Sequence, residues 1–196
     1  MANNRDLVDE VLSARSGHFV FESGHHGDLW LELERLCLRP GLVRPLAVEL
    51  ARWVGEQRAE VVCGPLVEGA FVALLVAEEL GAEFVYAERF ANRENRGLFP
   101  VEYRLPGVLR EKVRGRRVAI VNDVVNAGSA VRGTAADLVA CGAELVGIAC
   151  LMTLGAAAAE IAEKFGVPMF RLAARDANLW TPEECPLCRA GVAVTR

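Results

Sequence analysis

Lysine is almost missing from this chain of 196 residues: Lys112 and Lys164 are its two lysines, and the rest of its 22 basic residues are arginine. A mechanism that depends on lysine therefore has few candidates. Long apolar runs are missing as well. No stretch of about 18 apolar residues occurs, which excludes a helical membrane span. The N-terminal MANNRDLVDE lacks the apolar centre of a signal peptide, so the expected location is the cytoplasm. Without export, the six cysteines are expected as reduced thiols rather than as a disulfide framework. Positive charge is not in excess either. A net charge of -4 argues against a general nucleic-acid surface. Neither the P-loop pattern nor the dinucleotide glycine pattern occurs, and there is no internal repeat or low-complexity tract.

What is present suits one globular domain. The hydrophobic fraction is 53%, enough for a sizeable core at this length. Helical spacing marks residues 5–14, and Leu42, Leu46, Leu50 and Trp53 share a face of a helix over 41–57. Short strand-like pieces lie at 18–21 and 29–33. From residue 61 onward strands and helices alternate: strands at 61–63, 84–87, 118–121, 145–151 and 167–172, helices at 69–80, 129–141 and 156–165. That alternation predicts an α/β fold, a parallel sheet with helices on both faces. Residues 88–117 are rich in Arg, Glu, Asn and Gly with little periodicity, which suits a mobile lid or a strand pair.

The most informative stretch is VAIVNDVVNAGSAVRGT, residues 118–134. An apolar strand ends at Asn122-Asp123, a small-residue loop follows, and a helix begins near Ser129. Free N–H groups and the helix dipole would face that loop, an arrangement that suits a phosphate. Ordinary capping by Ser129 or Asn126 is the competing reading. Asp123 would lie at the C-terminal end of its strand, where open α/β sheets bind ligands.

This stretch resembles the phosphoribosyl-pyrophosphate (PRPP) motif of type I phosphoribosyltransferases, most closely the orotate phosphoribosyltransferase version. Gly17-His18-Phe19 with Ser23-Gly24 resembles that family's N-terminal hood over the base. The loop from Gly64 and Pro65 to Glu68 and Gly69 resembles its pyrophosphate loop. Trp180 and the run from Pro182 through Cys185 and Cys188 to Val192 resemble the tail of one bacterial branch. The resemblance spans roughly residues 17–192. It implies a core of about five parallel strands over about 41–175, a hood and N-terminal helix over about 1–40, and a tail over about 176–196.

The activity implied is transfer of ribose 5-phosphate from PRPP to a nucleobase, with release of pyrophosphate, in pyrimidine nucleotide synthesis or salvage. Mg²⁺ would accompany PRPP, with Asp123 in its outer shell, and the expected assembly is a homodimer. By this resemblance Asn122, Asp123, Asn126, Ala127, Gly128, Ser129 and Ala130 would bind PRPP, together with Gly64, Pro65, Glu68 and Gly69. Asp123, Arg89 and Arg93 would serve catalysis, with Arg96 a further basic lid residue. Phe19, Trp30 and Leu154 would meet the base.

Four positions depart from the family pattern. Asn122 replaces the first residue of an acidic pair. Glu68 stands where many members have lysine or glycine. The lid carries arginine but neither lysine nor histidine. Thr153-Leu154 stands where the orotate enzymes place an acid and the arginine that recognises the orotate carboxylate. These departures make orotate doubtful as the base. They also favour an alternative, an impaired paralogue that binds PRPP or a nucleotide as a regulatory module.

Two further clusters invite a metal reading. His25, His26 and Asp28 lie in a turn, where adjacent histidines usually face solvent. Cys185 and Cys188 form one CxxC with no second pair, and a structural zinc normally needs four ligands. Cys37, Cys63 and a histidine could complete a set only through folding that the sequence does not display. The expectation is a packing or turn feature, without zinc.

Overall fold

The computed structural model describes residues 4–91, 98 and 100–195. Helix α1 (Asn4–Val11) leads into two antiparallel strands, β1 (Ala14–Val20) and β2 (His26–Leu31). A 3-10 turn (Leu33–Leu38) precedes α2 (Pro40–Glu56), whose Pro40 occupies the first helical position, where its missing N–H costs nothing. Then follow β3 (Val61–Pro65), α3 (Glu68–Leu80), β4 (Glu83–Ala91), β5 (Val101–Arg104), α4 (Gly107–Val113) and β6 (Arg117–Val125). The chain continues through α5 (Ser129–Ala140), β7 (Glu144–Leu154), α6 (Ala157–Phe165) and β8 (Met169–Arg175). It ends with β9 (Leu179–Trp180) and α7 (Pro186–Arg189).

Six strands form one sheet in the order β5-β4-β3-β6-β7-β8. The five strands from β4 to β8 in that order run parallel, and β5 pairs antiparallel with β4. The sequence predicts about five parallel strands; the sixth comes from the aperiodic stretch, where Glu88 to Ala91 pair with 101–104. The strand-pair reading holds for these described residues.

Both faces of the sheet are buried, which is why its strands read as continuous apolar runs. Val62, Ala119, Val121, Ala149 and Leu151 pack toward α2 and α3. Their alternating neighbours Val61, Cys63, Val118, Ile120, Ile148 and Cys150 pack toward α5 and α6. On α2, Val43, Leu46, Ala47, Leu50, Ala51 and Val54 make the buried stripe.

The chain proceeds outward from β3 to β4 and then returns to the other side of β3 with β6. A crevice opens at such a reversal, beyond the C-terminal ends of the strands. The loops after β3 and β6 flank it. A second, three-stranded sheet, β1-β2-β9, joins the two ends of the chain.

Candidate functional site

At that crevice lies a cavity of about 380 Å³. The loop and first turn after β6, the loop after β3 and the β1–β2 hairpin make most of its wall, and Leu33, Arg89, Tyr103 and Leu154 add to it. Asn122, Asp123, Asn126, Ala127, Gly128, Ser129 and Ala130 all line it, as do Pro65, Glu68, Gly69, Arg89, Trp30 and Leu154. Gly64 does not. It is a packing residue, because a Cβ there would lie 2.6 Å from both Ala70 Cα and Ala73 Cβ. Phe19 is also outside the lining. It is buried behind Trp30, with ring centroids 5.7 Å apart, and Phe21 takes the inward position. Arg93 and Arg96 lie outside the described residues.

No side chain caps α5. Its N-cap is Gly128 in the left-handed region at φ 80, so neither Ser129 nor Asn126 makes the capping bond expected as the alternative. The N–H groups of the first turn are left to the cavity that these residues line, a ready anion site. Gly128 is confined to glycine twice over. Its φ is positive, and a Cβ would meet Ile161 Cδ1 at 2.3 Å.

Strand β6 runs past its apolar segment and carries Asn122 and Asp123 into the site, both buried. Asp123 Oδ1 accepts a 2.6 Å hydrogen bond from the Val124 N–H. Burial still dominates: it pushes the carboxyl up to about 7, and the nearby charge of Glu68 adds to that, against the backbone N–H groups that favour the ionised form. A buried carboxylate beside a second carboxylate is a place that gains from a cation.

Asn122 faces differently. Its Nδ2 donates to the Val124 carbonyl at 2.9 Å, and its Oδ1 rests against Gly69, where a Cβ would be only 2.0 Å away. Glycine at 69 is what lets the loop after β3 close on β6.

Arg89, on β4, is the one cation among the described lining residues. It is held by Glu22 of the hairpin, Nε to Oε2 at 2.6 Å, and Tyr103 donates to the other Glu22 oxygen at 2.9 Å. Glu22 thus latches the hood to the β4–β5 pair. The sequence reading missed Phe21, Glu22 and Tyr103. Phe21 and Glu22 are three and four residues from His18 in a hood already singled out, but Tyr103 lies in the aperiodic stretch and gives no local signal. On the apolar side, Trp30 stacks on Phe21 with centroids 6.0 Å apart and planes 3° from parallel. Leu29, Leu31, Leu33 and Leu154 complete that wall.

All six cysteines are free. Cys63 and Cys150 are core residues whose thiols burial pushes up, Cys150 to about 12, so both are inert.

A strand-end carboxylate, an uncapped helix N-terminus and a hood with stacked aromatics share one cavity at the edge of an α/β sheet. The family model for the phosphoribosyl transferase domain matches residues 41–183. The chain belongs to the type I phosphoribosyltransferase family. Its curated relatives include the orotate phosphoribosyltransferase of Heliobacterium modesticaldum, 31% identical over 190 residues, covering 95% of this chain and 91% of that protein. The orotate phosphoribosyltransferase of Caldanaerobacter subterraneus subsp. tengcongensis is 27% identical over 193 residues, covering 97% and 93%. Among solved structures, orotate phosphoribosyltransferase from Aeropyrum pernix has the same fold, with a TM-score of 0.63 at 20% identity, covering 86% of this chain and 92% of that one.

Proposed function

We propose that the protein transfers the 5-phosphoribosyl group of PRPP to a nucleobase nitrogen and releases pyrophosphate, as a member of the orotate group. One observation carries the reading: the uncapped start of α5, Asp123 and the Trp30–Phe21 wall share a single cavity. The bond from ribose C1 to pyrophosphate breaks, a bond from C1 to the base nitrogen forms, and the proton of that nitrogen passes to water. Positive charge grows on the ribose ring on the way, and ionised Asp123 lies where it stabilises that charge while holding the ribose hydroxyls. N–H groups of Asn126 to Ala130 hold the 5-phosphate. The loop from Pro65 to Gly69 and the guanidinium of Arg89 receive the pyrophosphate, and Arg93 and Arg96 are proposed to join it from the lid.

Mg²⁺ fits this donor set, because Asp123 and Glu68 bring two carboxylates to one cavity and hard cations take oxygen ligands. When bound with PRPP it supplies charge neutralisation at pyrophosphate. Glu68 then has a counter-charge instead of repelling the phosphates.

Leu154 supports an uncharged base. An orotate carboxylate against that apolar wall would lack its cation, a loss of roughly 2–5 kcal/mol. The proposed setting is pyrimidine nucleotide synthesis or salvage in the cytoplasm. A homodimer is supported by the exposed apolar residues Val67, Phe71 and Leu74, which follow helical spacing beside the cavity.

The test is purified protein with Mg²⁺, PRPP and a panel of bases including orotate and uracil, following pyrophosphate. Base-dependent release is expected. If no base releases pyrophosphate while calorimetry shows PRPP binding, the protein is a PRPP-binding module without turnover, a reading that the Glu22-bound state of Arg89 favours.

A further inference from the structure

The hood and the tail meet away from the cavity, at four side chains that the proposed reaction does not use. His18 on β1, His26 at the start of β2, and Cys185 and Cys188 at α7 point their donor atoms together, all within 4.8 Å of one another. His18 Nε2 is 3.0 Å from His26 Nδ1 and 3.6 Å from the sulfur of each cysteine, and Cys188 Sγ is 3.2 Å from His26 Nδ1. A tetrahedral zinc with Zn–N near 2.05 Å and Zn–S near 2.3 Å has edges of about 3.4 Å between nitrogens and about 3.6 Å between nitrogen and sulfur. Those four distances lie within about 0.4 Å of the corresponding edges. We infer that His18, His26, Cys185 and Cys188 bind a structural zinc ion that fastens the C-terminal tail to the hood.

Three features support a metal over plain packing. First, His18 Nδ1 lies 2.7 Å from the Val192 carbonyl. A carbonyl only accepts, so Nδ1 carries the proton and Nε2 keeps its lone pair toward the cluster, the orienting bond that metal-bound histidines usually make. Second, the Cys188 N–H points at Cys185 Sγ, 3.5 Å away, so a backbone donor already serves that sulfur. Third, the charges close: two thiolates and two neutral imidazoles cancel Zn²⁺, so the assembly can be buried, and His18 and Cys185 are 1% and 0% exposed. Thiolate and imidazole together are a zinc set, not a magnesium one.

The spacing shows why the sequence alone argues for packing. The CxxC supplies half of the ligands, while His18 lies 167 residues from Cys185 and His26 lies 162 residues from Cys188. Cys37 and Cys63, the cysteines considered as a complement, take no part among the described residues. His25 does not either; its Nδ1 lies 3.0 Å from Ser23 Oγ. A zinc here would fix the hairpin that carries Phe21, Glu22 and Trp30 into the cavity.

The test is zinc content of the full chain, produced without a polyhistidine tag in zinc-supplemented medium. About one zinc per chain is expected, and Co²⁺ exchanged into the site should show tetrahedral absorption with a thiolate charge-transfer band. Cys188→Ser, at the exposed corner, and His26→Gln should each lower the zinc at least fivefold, while His25→Ala retains it. If Cys188→Ser fails to fold, His26→Gln and chelator titration of the unaltered protein give the same readout. Folded protein with no zinc overturns the inference, as does a Cys185–Cys188 disulfide in the purified protein or full zinc in both ligand variants.

Discussion

Asp123→Asn should stabilise the protein and cripple its site at once. Unfolded, an aspartate titrates near pH 3.9; here burial and Glu68 push the carboxyl of Asp123 up to about 7. Between those values the native state holds a proton that the unfolded chain has released. Its bound-proton number is the larger, so stability falls as pH rises. The contribution is whole below about pH 4 and gone above about pH 7. Three units correspond to roughly 4 kcal/mol, with about 3 kcal/mol of it spread between pH 5 and 8. Asparagine keeps the oxygen that accepts from Val124 N–H but cannot ionise. Titrating groups remote from Asp123 cancel in the difference between the two proteins. Urea unfolding at pH 5 and pH 8, extrapolated linearly, should therefore show the variant gaining about 3 kcal/mol on the parent over that interval. PRPP affinity at pH 8 should fall in the same variant, since ionised Asp123 is what ribose and metal require. A stability difference that stays constant across the interval refutes the raised ionisation. Unchanged PRPP affinity refutes the assigned role.

Other substitutions probe the remaining walls. Asn122→Asp loses the donor to the Val124 carbonyl and adds a carboxylate beside Asp123 and Glu68; a loss of about 2 kcal/mol, or roughly 4–8 °C in Tm, is expected, shrinking when Mg²⁺ is added. Gly128→Ala forces a Cβ into Ile161 at positive φ, so calorimetry should show both a lower Tm and weaker ribose 5-phosphate binding, whereas Gly41→Ala, with nothing within 4 Å, should leave phosphate binding intact. Leu154→Arg should raise orotate-dependent pyrophosphate release tens of fold or more, read in the base panel. Phe71→Glu places charge on the exposed face of α3 and should shift sedimentation from dimer to monomer.

The sheet was legible because its signal is local. Strands β3, β6 and β7 are apolar on both faces, and α2 repeats its apolar stripe every three to four residues. The loop after β6 was legible too, since a strand, small residues and a helix start are consecutive in the chain. What stayed hidden depends on distant partners. Strand β5 alternates for only four residues, too few to be read alone, and exists as a strand through β4. Glu22 matters through Arg89 and Tyr103, the latter 81 residues away. The histidine–cysteine cluster needs both ends of the chain, and a lone CxxC says nothing of where histidines arrive. Gly64 and Gly69 looked alike in the loop, yet one serves packing and the other clears space for Asn122.

The departures from the family pattern do not weigh alike. Asn122 is fitted to its place: its amide donates where a carboxylate could not, and its oxygen rests on Gly69. Glu68, at the start of α3, lines the same cavity as Asp123 and adds its charge to that carboxyl. These two changes leave the chemistry proposed for ribose and metal intact. Arg89 and Leu154 bear on the substrates instead. Pyrophosphate must compete with Glu22 for the Arg89 guanidinium, and that ion pair is the latch between hood and sheet. In the proposed reaction PRPP would draw Arg89 from Glu22, and the Tyr103 bond to Glu22 would still hold the hood. An anionic base would need the same guanidinium, since Leu154 offers none. An uncharged base makes no such demand, which is the ground for proposing one over orotate.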